Sequence, residues 1–286
     1  MIVEINERQM GAANPEAAGK YSSTFRRNLR WLLRICTVTG FDPRLCLRNL
    51  RGLPFYVRDA IAYTCSAPGK SFRIRLFDSF PILGDRFLAA GIADGAYFHQ
   101  DLWAARKIFE RRPEKHTDVG SRVDGFVAHL LTFMPVTVID IRPLQSKVTG
   151  LTFMQEDATS LAGVAEGSVE SISSLHAAEH FGLGRYSDPV DSQACFRFMH
   201  SLERVLKPGG RLYFSVPVGR ERVEFNAHRV FAGSTIVEAF AGLRLISFSL
   251  VNDAGDLHEN VLPGSETGVE YGCGLFEFTK LTDISD

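Results

Sequence analysis

An α/β fold, with a doubly wound sheet following an N-terminal α+β lobe, is predicted by three features of this sequence. Strand and helix patterns alternate from Lys115 onward, which implies a mostly parallel sheet covered by helices on both faces. Acids close successive apolar strands, Asp140 after 136–139 and Asp157 after 151–155. Open α/β sheets bind nucleotide-like ligands outside those carboxyl ends. A helical pattern over 192–206 runs through Lys207-Pro208-Gly209-Gly210 into an apolar strand, which reads as a helix stop with glycine in a left-handed cap.

Each element follows from local pattern. Residues 1–20 are small and polar, with no apolar stretch of the kind a secretory leader needs, and read as a flexible leader. Residues 21–96 form the lobe. Phe25, Leu29, Leu32, Leu33 and Cys36 fall at helical spacing with Arg26, Arg27, Arg30 and Arg34 between them. Such a basic helix lies either on an anionic membrane surface or on the core with its arginines in water; the second is the expectation here. Phe72-Arg73-Ile74-Arg75-Leu76 alternates as a strand does. The third segment, 97–286, opens with a helix over 97–112 that Pro113 ends. Strands follow at 116–120, 136–140, 151–155, 169–175 and 211–216, with helices at 123–133, 192–206 and 234–241. The strands near 243–251 and 273–280 are joined by a loop, so they are expected as an antiparallel edge pair.

Composition narrows the classes. The chain has 286 residues, 45% apolar and 23% charged, the make-up of an ordinary soluble globular protein. A net charge of −1 gives no field for nucleic acid. Five scattered cysteines lack Cys-x-x-Cys spacing and read as reduced thiols in the cytoplasm, with no zinc ribbon or disulfide framework. No uncharged apolar run reaches membrane-spanning length.

The chemistry-bearing residues cluster at strand ends. In Asp118-Val119-Gly120-Ser121 the glycine lets backbone approach a ligand. Asp140 stands where a carboxylate accepts both hydroxyls of a ribose, or else it caps a loop. Asp157 can accept the exocyclic amine of an adenine that Ala158 backs. Farther on come His176-Ala177-Ala178-Glu179-His180, then Gly182-Leu183-Gly184-Arg185-Tyr186, then a charged stretch holding Arg220, Arg222, Asn226, His228 and Arg229.

Asp118-x-Gly120, Asp140, Glu156-Asp157-Ala158, Glu179-His180 and the run from Arg204 to Gly210 resemble the ordered motifs of class I S-adenosylmethionine-dependent methyltransferases. The run from Tyr97 to Ala105, the runs 118–125 and 174–186, and Phe225-Asn226-Ala227-His228-Arg229 resemble domain-of-unknown-function family 268, itself similar to methyltransferases and often found near glycan-assembly genes. This resemblance implies a Rossmann-like methyltransferase sheet and S-adenosylmethionine as cofactor, held by Asp118, Gly120, Ser121, Arg122, Asp140, Asp157 and Ala158. It implies methyl transfer to a hydroxyl of a sugar or glycan precursor. His176 or His180 would act as base and His228 would orient the acceptor, with Glu179, Arg185, Tyr186, Asn226 and Arg229 as acceptor contacts and no metal. One departure stands out: Arg122 and Asp124 occupy positions where the methyltransferase turn has small residues, often glycines. Arg122 either pairs the carboxylate of the cofactor or fills its place.

Two other functions fit part of the pattern. A Rossmann-like module that binds without catalysis is one, suggested by Arg122. A zinc hydrolase built on His-x-x-Glu-His at 176–180 is the other, and it requires both histidines on one helical face.

Overall fold

The computed structural model describes residues 36–66, 72–75, 77, 79–91 and 93–282. The chain divides into two compact units, Met1–Gly91 and Ile92–Asp286.

In the first unit the main element is helix α1 (Pro43–Cys65). Asp42 starts it: its carboxylate accepts the backbone N–H of Arg44 at 2.8 Å and of Leu45 at 3.3 Å. Pro43 takes the first helical position, where no N–H is needed. The strand expected at 72–76 does not form over its described residues 72–75. A strand needs a partner to take its hydrogen bonds, and the Phe72 carbonyl instead accepts the Tyr63 hydroxyl at 2.9 Å. The leader and the basic helix, Cys36 apart, lie outside the described residues.

The second unit opens with helix α2 (Gly95–Arg111). Its strands are β1 (His116–Val119), β2 (Val136–Asp140), β3 (Leu151–Gln155), β4 (Val169–Leu175), β5 (Leu206–Val218), β6 (Arg222–Glu224), β7 (His228–Val230), β8 (Leu243–Val251), β9 (Leu257–His258) and β10 (Gly272–Lys280). A short helical segment, a π turn at Val123–Val127 continued by α3 (Ala128–Leu130), follows β1. Helix α4 (Ala194–Val205) precedes β5, and α5 (Gly233–Ala239) precedes β8. Among the described residues no helix is long and apolar enough to cross a membrane.

The main sheet has the order β3-β2-β1-β4-β5-β10-β8-β9. Strands β1 to β5 pair in parallel. Strand β10 is antiparallel to both β5 and β8. The expected antiparallel pair forms, β8 with β10, at that end of the sheet; within it β10 takes the inner place, between β5 and β8. Alternation along β5 sends Tyr213 to one face and Leu212, Phe214 and Val216 to the other. On Tyr213's face, Trp103, Ala104 and Ile108 of α2 pack with Phe126 and Leu130. On the opposite face, Phe198, Met199 and Leu202 of α4 pack with Ile236 of α5 and with Phe276 and Phe278 of β10. Each buried phenylalanine contributes about 2–3 kcal/mol.

Two boundaries differ from the sequence pattern. Helix α4 ends at Val205, and Leu206 is already extended and pairs with Val169. The left-handed glycine is real, Gly209 at φ +75°, but it sits in a bulge: Leu206 pairs with Val169 and Arg211 with Ser171, so the four residues 207–210 stand opposite the single Glu170. The helix expected over 123–133 runs only through 123–130 and opens as a wider π turn. There Gly125 presses on α2: a Cβ would stand 2.6 Å from a carboxylate oxygen of Asp101.

Candidate active site

Strands β1 to β4 bring their carboxyl ends to one edge of the sheet. At the end of β1, Asp118 is fully buried. Its carboxylate accepts the Ser121 hydroxyl at 2.6 Å, the Ser121 N–H at 3.2 Å and the Ser173 hydroxyl at 2.5 Å. Burial outweighs these bonds and pushes its pKa up to about 6. The Ser121 hydroxyl also accepts the Leu175 N–H at 2.9 Å. Asp118 and Ser121, expected as cofactor contacts, thus spend their polar atoms shaping the turn. One step along β1, His116 lies between the Ser171 and Ser173 hydroxyls, each 2.8 Å from a ring nitrogen. Burial lowers its pKa to about 3, so the ring is neutral.

The turn is tight. Gly120 has φ +75°, and a Cβ there would come within 3.1 Å of the Ala177 Cβ. The β1 turn and the end of β4 are in contact at this point. Arg122 lies at the surface, its guanidinium carbon 5.3 Å from the Tyr97 ring centre and its Nε 3.4 Å from Asp124.

At the end of β2, Asp140 is fully engaged by one residue. Arg142 gives it the backbone N–H at 2.8 Å, Nε at 3.0 Å and Nη2 at 2.6 Å. The guanidinium carbon of Arg142 lies 4.7 Å from the ring centre of Tyr186. After β3, Asp157 is exposed, and its Oδ1 accepts the N–H and the hydroxyl of Thr159, both at 2.8 Å. Ala158 beside it is buried.

The end of β4 carries a different constellation. His176 has φ +50°, left-handed backbone at a non-glycine residue. Its N–H reaches the Ser215 carbonyl at 3.0 Å and the Ser215 hydroxyl at 3.1 Å. Its Nδ1 bonds Oε1 of Gln100, which also accepts the Ser215 hydroxyl at 2.6 Å. The Gln100 Nε2 donates to Asp101 at 3.0 Å. An amide oxygen only accepts, so Nδ1 of His176 carries the proton and Nε2 holds the lone pair. Burial lowers the His176 pKa to about 3, and the charges of His180 and His228 push it the same way.

The three imidazoles are therefore neighbours, and each meets a tyrosine. His176 stands 5.1 Å from Tyr97, His180 5.8 Å from Tyr186 and His228 5.0 Å from Tyr271, between ring centres. His180 donates from Nδ1 to the Ala227 carbonyl at 2.7 Å, which fixes its tautomer, and its Nε2 lies 3.6 Å from Oε1 of the buried Glu179. Nε2 of His228 lies 3.5 Å from Glu224. Arg185 donates to the same Ala227 carbonyl at 3.1 Å. Arg229, expected at the acceptor, is buried and donates to the carbonyls of Phe181 at 2.6 Å and Glu179 at 3.4 Å; it braces the turn. Asn226 is exposed between β6 and β7.

Zinc ligation by His176 and His180 requires a shared helical face, which this backbone does not provide. Only the single 3-10 turn Ala178–His180 forms there, and His176 precedes it in left-handed conformation. Among the described residues no group of three or more His, Cys, Asp or Glu is arranged to hold a metal.

Sequence reasoning missed Gln100, Ser215, Arg142 and Tyr271. Arg142 left a signal, an arginine two residues after the strand-end acid. Gln100 left only its place in the run 97–105, because its partners are remote in the chain.

Residues 145–261 match the family described as "Caenorhabditis protein of unknown function, DUF268". No curated protein matches the chain by sequence. Among solved structures, the [4+2]-cyclase SpnF is similar at 16% identity, over 67% of this chain and 89% of that one, with a TM-score of 0.48. The N-methyltransferase NodS from Bradyrhizobium japonicum WM9, in complex with S-adenosylhomocysteine, is similar at 13% identity over 65% and 89%, with a TM-score of 0.47. A Burkholderia thailandensis 1,6-didemethyltoxoflavin-N1-methyltransferase is similar at 14% identity over 64% and 79%, with a TM-score of 0.45. The family that the sequence matches, over residues 145–261, is DUF268, and the sheet of the second unit is doubly wound and mostly parallel, with β10 antiparallel.

Proposed function

We propose that this protein transfers a methyl group from S-adenosylmethionine to a hydroxyl of a sugar or glycan precursor. The observation that carries the reading is the sharing of one sheet edge. The carboxyl ends of β2, β3 and β4 lie along that edge, Asp140 and Asp157 following the first two and the cluster of three imidazoles the third. Five free thiols, two of them buried, support a cytoplasmic setting.

The residues fit the cofactor by their chemistry. Asp140 offers two acceptor oxygens for ribose hydroxyls. Its present partner, Arg142, is 54% exposed in its side chain and can leave without breaking a buried bond. Asp157 would take the adenine amine, with Ala158 behind the ring, and the turn at Gly120 would lie along the methionine portion. Bound there, S-adenosylmethionine supplies an electrophilic methyl group on a sulfonium.

The protein's own part is to orient the acceptor and take its proton. His180 suits the base: its Nδ1 proton is pinned on Ala227, and a proton gained at Nε2 would face the Glu179 carboxylate. His176 suits orientation. With its pKa near 3 it takes no second proton at neutral pH, yet Nε2 can accept a hydrogen bond from the acceptor hydroxyl. His228, beside Glu224, would hold a second hydroxyl.

Transfer of labelled methyl to a panel of sugar and glycan precursors tests the reaction. His180→Gln should lower turnover by about 10²–10⁴-fold, the range for a lost general base, with S-adenosylhomocysteine affinity intact. Full turnover in that variant removes the base assignment. Asp140→Ala should weaken S-adenosylhomocysteine by about 1–3 kcal/mol in calorimetry; unchanged affinity moves the cofactor elsewhere. A second reading, a binding module without catalysis, is favoured by the full engagement of Asp140 by Arg142. A folded wild-type protein that gives no heat with the cofactor would decide for it.

A further inference from the structure

Arg142 holds more of the site together than a surface ion pair does. Its guanidinium grips Asp140 with two donors and lies over the Tyr186 ring. A second guanidinium, that of Arg185, lies over the same ring at 5.3 Å and reaches the Ala227 carbonyl that also holds His180. The Tyr186 ring itself stands against His180. A chain of contacts thus runs from the carboxylate at the end of β2 to the imidazole after β4. The loop bearing Tyr186 is anchored by Asp188, which accepts the Gly182 N–H at 2.7 Å and the Tyr186 N–H at 3.1 Å.

This arrangement has an electrostatic consequence, which rests on the cofactor reading above. Asp140 can serve a ribose or Arg142, and the oxygens now taken by Nε and Nη2 are the ones that ribose hydroxyls need. When the ribose takes them, the guanidinium of Arg142 over Tyr186 loses its counter-ion while that of Arg185 lies over the same ring. Two cations a few ångströms from one ring repel each other unless an anion joins them. We propose that Arg142 and Arg185, at the ring of Tyr186, form a binding site for an anionic group on the acceptor, a phosphate or a carboxylate, which opens when the cofactor ribose displaces Arg142 from Asp140. Cofactor and acceptor would then bind in order. An arginine fork suits such a group because its donors match the oxygens in pairs.

Calorimetry on the full chain tests the proposal, with inorganic phosphate and acetate as probes and S-adenosylhomocysteine as the cofactor's stand-in. Phosphate or acetate should bind about tenfold more tightly to protein saturated with S-adenosylhomocysteine than to protein alone, and by reciprocity the anion should tighten S-adenosylhomocysteine by the same factor. The probe that shows this coupling tells a phosphorylated acceptor from a carboxylate-bearing one. Arg142→Ala should bind S-adenosylhomocysteine several-fold more tightly, because the internal competitor is gone, and should lose the coupling. Arg142→Lys should keep part of it. Arg185→Ala should weaken the anion with and without S-adenosylhomocysteine. Equal anion affinity in both states, weaker or unchanged S-adenosylhomocysteine binding in Arg142→Ala, or coupling that survives in that variant each overturns the proposal while leaving the cofactor reading in place. No S-adenosylhomocysteine binding by either protein overturns both.

Discussion

At the ends of β2 and β3 each acid meets a partner two residues away, Asp140 with Arg142 and Asp157 with Thr159. At the ends of β4 and β5 the partners are far apart in the chain. Gln100 and His176 are separated by 76 residues, Gln100 and Ser215 by 115, and His180 and Ala227 by 47. Contacts of the first kind close at little loop-closure cost and can open singly. Contacts of the second kind exist only once the sheet and α2 are assembled. Asp118 belongs to the second kind although it ends a strand next to β2, since Ser173 is 55 residues away. The difference teaches which parts can yield to a ligand. Arg142 can swing away alone, whereas moving Gln100 disturbs two strands and a helix.

The largest expected effect comes from acid, and it falls on contacts of the second kind. His116 and His176 are held neutral, with pKa values lowered from 6.5 to about 3. Between those values the unfolded chain binds protons that the folded chain refuses, so stability falls as pH falls. For His116 alone the loss reaches about 5 kcal/mol by the lower end of that window. Asp118 works the other way. Its pKa is raised from 3.8 to about 6, so the folded chain binds a proton there that the unfolded chain has released, and stability rises as pH falls through that window. The opposing contribution is about 3 kcal/mol. Urea midpoints should therefore drop gently from pH 6 to 4 and about twice as steeply below, once Asp118 no longer offsets the histidines. His116→Gln and His176→Gln should each flatten the curve. If only one does, the acid sensitivity belongs to that histidine alone.

Next in size is the loop that carries Tyr186. Gly182 has φ +74°, and a Cβ there would overlap the Asp191 carbonyl oxygen. Backbone cannot step aside as a side-chain tip can. Gly182→Ala should cost about 4 kcal/mol through left-handed strain plus overpacking. A melting temperature unchanged from wild type would mean that the loop is not held as described.

The same contrast explains what the sequence disclosed. Strands β2, β3 and β4 were legible to the residue, because a buried parallel strand is a short apolar run with its acid or turn at the end. Asp140 and Asp157 were legible as strand-end acids. The role of Asp118 was not, because its burial depends on serines one strand away. Gln100 looked like one polar residue of a helix, and only the packing of α2 brings its amide to His176. The position of β10 was hidden for a similar reason. Its pattern showed a strand, but its insertion between β5 and β8 is a matter of sheet assembly.

A smaller effect is expected from Gln100→Leu. The change strands the Nδ1 proton of His176 and the hydroxyl of the buried Ser215. Left without an acceptor, they should cost about 3 kcal/mol together. Turnover should fall with stability, while S-adenosylhomocysteine affinity should hold, because the acids at β2 and β3 are built separately. A large drop in that affinity would show that the two regions are one.

The smallest effect should come from Gly120→Ala, and it sharpens the contrast with Gly182. Both glycines are left-handed, at φ +75° and +74°. At Gly120, however, the added carbon meets only the Ala177 Cβ, at 3.1 Å, and a few tenths of an ångström relieve that contact. The expected cost is about 1–2 kcal/mol, mostly left-handed strain. Ala177→Gly in the same chain should recover the contact part and leave the strain. Full recovery would mean that the squeeze between the β1 turn and β4 dominates. No recovery would mean that backbone conformation alone requires glycine here. In either case the shift of the turn should lower S-adenosylhomocysteine affinity in the single variant, whereas Gly182→Ala should act first on acceptor turnover.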